Sequence, residues 1–148
     1  MSTNGSTGMR SPEETAREFV DAVAWGEHRK VWDLLAVEGR TVVLNVARKR
    51  GMDEALVSRL RDGTAADGER EEFLSDLVNG LRADLAGNDL DSLEYELDSA
   101  AVEPGRSRVI VNAPLPPTLG GSLPVATIDL AAEGGEWRVE RLIPRVSQ

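Results

Sequence analysis

The chain has 148 residues with a formal net charge of −9, 41% hydrophobic and 29% charged residues, and no cysteine. These values are those of a globular domain and not of a disordered chain. They exclude disulfides, thiolate metal sites and cysteine nucleophiles, and they argue against a broad grip on nucleic acid or an anionic membrane surface.

Residues 1–10 are polar and glycine-rich, without the apolar core of a signal peptide, and are expected to form a disordered leader to one domain over residues 11–148. The cytoplasm is the expected location, and no run is apolar enough to span a bilayer. Ser11-Pro12-Glu13-Glu14 is a capping box that opens a first helix carrying Ala16, Phe19, Val20 and Val23, ended by Gly26. A second helix is expected from Glu27 to Ala36, with Val31, Leu34 and Leu35 as its buried stripe, Trp32 beside it and Gly39 as its stop. Arg40 to Arg50 fits either a helix or a β-branched strand. Helix is favoured, because Val42, Val43, Val46 and Ala47 share a helical face and Arg48-Lys49-Arg50 places cations at a helix C-terminus. Asp53 caps a short helix through Leu56, Val57 and Leu60 to Gly63. The longest helix follows Thr64 and Asp67, with a seam from Phe73 to Leu85 and Gly87 beyond its end.

After Leu90 the period changes from helical to alternating. Leu93, Tyr95 and Leu97 alternate with Glu94, Glu96 and Asp98, as in a strand with one wet face. Glu103-Pro104-Gly105-Arg106 is a turn, Arg108 to Asn112 a strand, and Pro114 to Leu123 a long loop. Pro124 to Leu130 and Glu136 to Ile143 are two more strands, joined at Gly134-Gly135. The fold class is therefore α+β, with N-terminal helices packed on a C-terminal curved antiparallel sheet of about four strands.

Two stretches carry a resemblance to a known group. One is Pro12-Glu13-Glu14-Thr15-Ala16-Arg17-Glu18-Phe19-Val20 leading to Val31-Trp32-Asp33-Leu34-Leu35; the other is the closing hairpin from Val125 to Ile143. In this order the chain resembles the cone-shaped α+β superfamily of ketosteroid isomerase, scytalone dehydratase, polyketide cyclases and nuclear transport factor two. The resemblance covers about half of the chain, and Met52 to Arg61 departs from it as an added helix. It implies a sheet wrapped around a helix, leaving an apolar pocket. Its members include both enzymes and binding or assembly modules, so fold does not choose function.

Two functions stay open. The first is a binding or assembly module, expected as a homodimer, for a small apolar ligand. The second is a cofactor-free isomerase, cyclase or dehydratase. In the second, Asp129 is the candidate proton acceptor, since an apolar pocket raises a carboxyl pKa, and Tyr95 the candidate hydrogen-bond donor. Asp129 shares a strand face with Val125 and Thr127; the plainer reading is an exposed sheet carboxylate. Trp25, Trp32, Thr127 and Trp137 are the candidate pocket lining, with core packing as the plainer reading for the tryptophans. Arg40, Arg48, Lys49 and Arg50 form a candidate patch for an anion or an acidic partner. His28 is the only histidine and sits among charges as a surface residue would; with no cysteine either, neither a metal nor a cofactor is expected.

Overall fold

A computed structural model describes residues 10–101 and 103–145. Of the leader expected over residues 1–10, residues 1–9 lie outside the described residues. Arg10 is described, with its guanidinium 2.8 Å from Glu18. Five helices come first: α1 (Pro12–Trp25), α2 (His28–Leu34), α3 (Val37–Lys49), α4 (Glu54–Asp62) and α5 (Asp67–Asp84). Four strands follow: β1 (Glu94–Leu97), β2 (Arg106–Pro114), β3 (Ser122–Glu133) and β4 (Glu136–Pro144). They form one antiparallel sheet in the order β1-β2-β3-β4. Single 3-10 turns at Leu90–Ser92 and Ser99–Ala101 flank β1, and Leu90 of the first packs against the main core. Among the described residues no helix is long and apolar enough to cross a membrane.

The helix boundaries follow their caps. At α1 the Ser11 hydroxyl accepts from the Glu14 amide (3.1 Å), and the Glu14 carboxylate accepts from the Ser11 amide (2.8 Å). Gly26 closes the helix at φ 71°, in the left-handed region that favours glycine. Asp53 caps α4 through the Leu56 amide, and Glu69 accepts from the Ala66 amide at the head of α5. Residues 40–49 are helical, as their face pattern and basic C-terminus imply.

The sheet buries one face. Val109, Val111, Ala126, Ile128, Leu130 and Val139 are fully buried against Phe19, Val20 and Val23 of α1. A second cluster joins Leu44 of α3, Val57 and Leu60 of α4, and Phe73 and Leu74 of α5. Trp32 packs against both, its ring 5.5 Å from that of Phe73 in an edge-on arrangement. The register shifts at Val111/Asn112 and at Asp129/Leu130, and such bulges bend a strand and increase its twist. The long loop expected at Pro114 to Leu123 is shorter, because β2 and β3 stay paired as far as Pro114 and Ser122.

Gly39 does not stop α2. That helix ends at Leu34, where Leu35 turns extended (ψ 138°) and forms a parallel bridge with Val139 of β4. Ala36 then donates its amide to the Val139 carbonyl at 2.7 Å. Gly39 lies buried in the first turn of α3, pressed on the same strand. A Cβ there would stand 2.8 Å from the carbonyl oxygens of both Val139 and Glu140. Helix propensity alone favours alanine over glycine by about 1 kcal/mol. Backbone oxygens cannot yield as a flexible side chain would, so overpacking dominates. Gly39→Ala is expected to lower unfolding free energy by about 1–3 kcal/mol in urea titrations; a gain in stability would show that the close approach is not a constraint.

Candidate functional site

A largely apolar opening lies between α3, α5 and β4, with a volume of about 550 Å3. Helix α3 supplies Val42, Val43, Val46 and Ala47, and α5 supplies Leu77, Gly80 and Leu81; Phe19, Leu35 and Leu142 lie deeper. The two helices meet around Leu44, Phe73 and Leu74 and leave the space beyond unfilled. Val42 and Val46 remain 39% and 43% exposed in the wall. Gly80 sits inside α5, and a Cβ built on it would meet nothing within 4 Å. A glycine inside a helix costs about 1 kcal/mol relative to alanine. Neither its backbone conformation nor a neighbour in the described chain requires it, so its effect is to widen the cleft. Arg50, Asp76, Asp84 and Arg141 border the opening. None of the four has an ion-pair partner among the described residues.

One end of the cleft is closed at the β4 bulge. There Asp129 faces Arg141 and Leu130 faces Val139, leaving Glu140 as the extra residue between them. The Glu140 side chain is only 12% exposed, and Arg106 reaches both it (3.3 Å) and Glu38 (3.5 Å). Burial raises the Glu140 pKa above the ordinary carboxylate value, Glu38 pushes the same way, and Arg106 opposes them. A partly buried carboxyl with a raised pKa, at the edge of an apolar cleft, has the character of a functional group.

The residues expected to form the site are scattered. Asp129 lies on the sheet face opposite Ala126, Ile128 and Leu130, paired with Arg108 at 2.7 Å. Asp129 and Thr127 do not line the cleft; they lie on the sheet face that alternates with Ala126, Ile128 and Leu130. Trp32 is held between the two core clusters and Trp137 rests against the main core opposite Ala132; neither borders the cleft. Trp25 and Tyr95 come together elsewhere, at a separate hollow between α1 and the entry to β1. Burial pushes the Tyr95 phenol above its ordinary pKa, Asp21 adds to this and Arg17 opposes it.

The basic patch is also divided. Arg40 is spent on Trp32: its guanidinium lies 5.2 Å from the ring centroid and donates to the Trp32 carbonyl at 3.0 and 3.2 Å. Arg48 pairs with Glu54 and Asn45, Lys49 is exposed, and Arg50 alone of the four borders the cleft. His28 is held by Glu71 at 2.8 Å, which also binds Arg29 and joins α2 to α5.

Sequence reasoning missed Gly80, Leu77, Leu81 and Glu140 as site residues. The signal for Gly80 was a helix-interior glycine; Glu140 had none, because bulges leave no mark in an alternating pattern. Compared with known families, curated proteins and solved structures, the chain matches none.

The Glu140 shift has a sign that can be measured. With its folded pKa raised, the native state binds more protons than the unfolded state above the unshifted value of 4.5. Its contribution to stability is therefore full below that pH and is lost as pH rises through the folded pKa. Glu140→Gln, which mimics the protonated form, is expected to gain melting temperature relative to the parent on going from pH 4 to pH 8. A difference that stays constant over this range would refute the raised pKa.

Proposed function

We propose that the protein is a binding module for a small, mostly apolar molecule, seated in the cleft between α3, α5 and β4. The observation that carries this reading is the 550 Å3 opening itself, with apolar walls, charges only at its border, and a glycine where a side chain would fill it. The volume suits a ligand of ordinary small-molecule size, for which pockets are mainly apolar with a few polar groups that fix orientation. Glu140 and Arg141 at one end, and Arg50, Asp76 and Asp84 at the border, are the groups available for that orientation. The helices-then-sheet order is compatible with membership of the cone-shaped α+β superfamily, and an apolar pocket is what that membership implies. The enzymatic alternative would need a base other than Asp129 in this cleft, since that carboxylate is not among its lining residues.

One observation favours a second reading, in which a second copy covers the cleft as a homodimer. Arg50 and Arg141 against Asp76 and Asp84 are charges of both signs without ion-pair partners among the described residues, a set that a two-fold related copy can match.

Titration with N-phenyl-1-naphthylamine, a neutral dye that brightens in apolar surroundings, separates the readings. A saturable site is expected whose affinity falls by about tenfold, or 1.4 kcal/mol, in Val46→Glu and in Gly80→Leu, both of which change exposed positions. Binding that is absent, or undiminished in both variants, defeats the ligand reading. Light scattering after gel filtration then decides the dimer: a mass of one chain at high concentration rules it out.

A further inference from the structure

The sheet has a second face, which the helices do not use. Val109, Val111, Ile128 and Val139 turn towards the core, so Arg108, Ile110, Thr127 and Asp129 turn the other way. The register sets these outward residues in rows across the strands. In one row Glu96, Ile110, Thr127 and Ile143 lie side by side. Ile110 and Ile143 belong to neither core cluster, and Ile143 is 38% exposed. In the next row Arg108 lies opposite Asp129, and Asp129 opposite Arg141. Asp98, one residue past β1, completes it, with its amide bonded to the Arg108 carbonyl at 2.9 Å.

From β1 to β4 this second row reads Asp98, Arg108, Asp129, Arg141, with charges alternating from negative to positive. Reversed end to end, it becomes its own complement. A two-fold axis that runs parallel to the strands, between β2 and β3, makes that reversal. It lays β1 of one copy over β4 of the other. Asp98 then meets the partner's Arg141, and Arg108 meets the partner's Asp129. An axis across the strands would set each charge over its own kind, so the pattern selects one of the two ways of stacking these faces. Arg108 and Asp129 already pair within the chain at 2.7 Å. Asp98 and Arg141 have no ion-pair partner among the described residues, and the two-fold copy supplies one to each. In the neighbouring row the same axis puts Ile110 over the partner's Thr127. Glu96 stays at the rim, where its carboxylate accepts from the Asn112 amide group at 3.3 Å.

The face is also large enough. Four strands spaced about 4.8 Å apart, the longer ones nine residues or more at about 3.3 Å each, give a face of about 19 by 30 Å. Two copies stacked on it enclose about 1,100 Å2 in all, above the roughly 1,000 Å2 that a stable interface needs.

We infer that a second copy of this chain docks on the open sheet face, with its two-fold axis along the strands and Asp98 paired to the partner's Arg141 at both ends of the shared row. This face is not the cleft, and a copy seated on it leaves the cleft open to a ligand, although Arg141 on the edge strand borders both. The inference does not rest on the ligand reading.

Sedimentation velocity of the whole protein tests it. The parent is expected to form a two-chain species. Asp98→Lys and Arg141→Glu are each expected to weaken it by about tenfold or more, with circular dichroism unchanged. Mixed in equal amounts, the two variants are expected to associate with each other, because each contact of the row then joins opposite charges; the double variant is expected to dimerise by itself for the same reason. A parent with the mass of one chain, single variants that dimerise as the parent does, or a mixture that stays monomeric would overturn it. A dimer broken by Val46→Glu and untouched by Asp98→Lys would place the second copy on the cleft and overturn it equally.

Discussion

Ala36 gives its amide to the Val139 carbonyl across 2.7 Å, and three residues later Gly39 lets the backbone of α3 rest on that same stretch of β4. β4 is the last strand of the sheet, so its outer edge would otherwise present unpaired amides and carbonyls. The α2–α3 connection covers part of that edge and fixes where α3 starts. Val37 adds a bond to the Glu133 carboxylate at 3.0 Å, which ties the same turn to the end of β3. The consequences run outward. A helix seated this closely on a strand buries Glu140 beside it and draws Glu38 towards Arg106. It also sets one wall of the cleft, because Val42, Val43 and Val46 lie on the turns that follow Gly39.

The apolar interior is two clusters, and this explains why an opening exists. The main core joins the sheet to α1 and α2, with α5 contributing Val78. The smaller cluster holds α3, α4 and the first half of α5. Trp32 spans them, fixed by Phe73 on one side and by Arg40 on the other. Side chains large enough to close the remaining gap are absent: valines and an alanine line α3, and Gly80 stands opposite on α5. Filling such a gap is ordinarily favourable, at about 25 cal/mol for each Å2 of apolar surface removed from water. Leaving it open gives up that gain, which is reasonable where the surface meets something other than water.

Local chemistry was legible in the sequence where it acts through neighbours. Ser11 and Glu14 wrote the start of α1, Gly26 and Gly63 wrote helix ends, and Gly134-Gly135 wrote the hairpin, with φ of 58° and 81° at the two positions. Alternation correctly separated Ala126, Ile128 and Leu130 from Val125, Thr127 and Asp129. What it could not supply was which face the helices cover, and that choice places Asp129 beside Arg108 and away from the cleft. Gly39 was read as a stop because a glycine after an apolar stripe has two meanings. The one that applies depends on Val139 and Glu140, a hundred residues away in the chain. The cleft was hidden for the same reason: its lining comes from α3, α5 and β4, and only their packing brings the three together.

Helix α5 ties the cleft to both α2 and α1. Near its start Glu71 binds His28 and Arg29 of α2; both interactions hold its carboxyl below the ordinary pKa. Near its end Arg82 is bonded to the last carbonyls of α1. Between these attachments one stripe, Asp76, Leu77, Gly80, Leu81 and Asp84, turns to the cleft. A helix held at both ends makes a fixed wall, so the cleft's width is set by the missing side chain at Gly80 more than by movement of the helix.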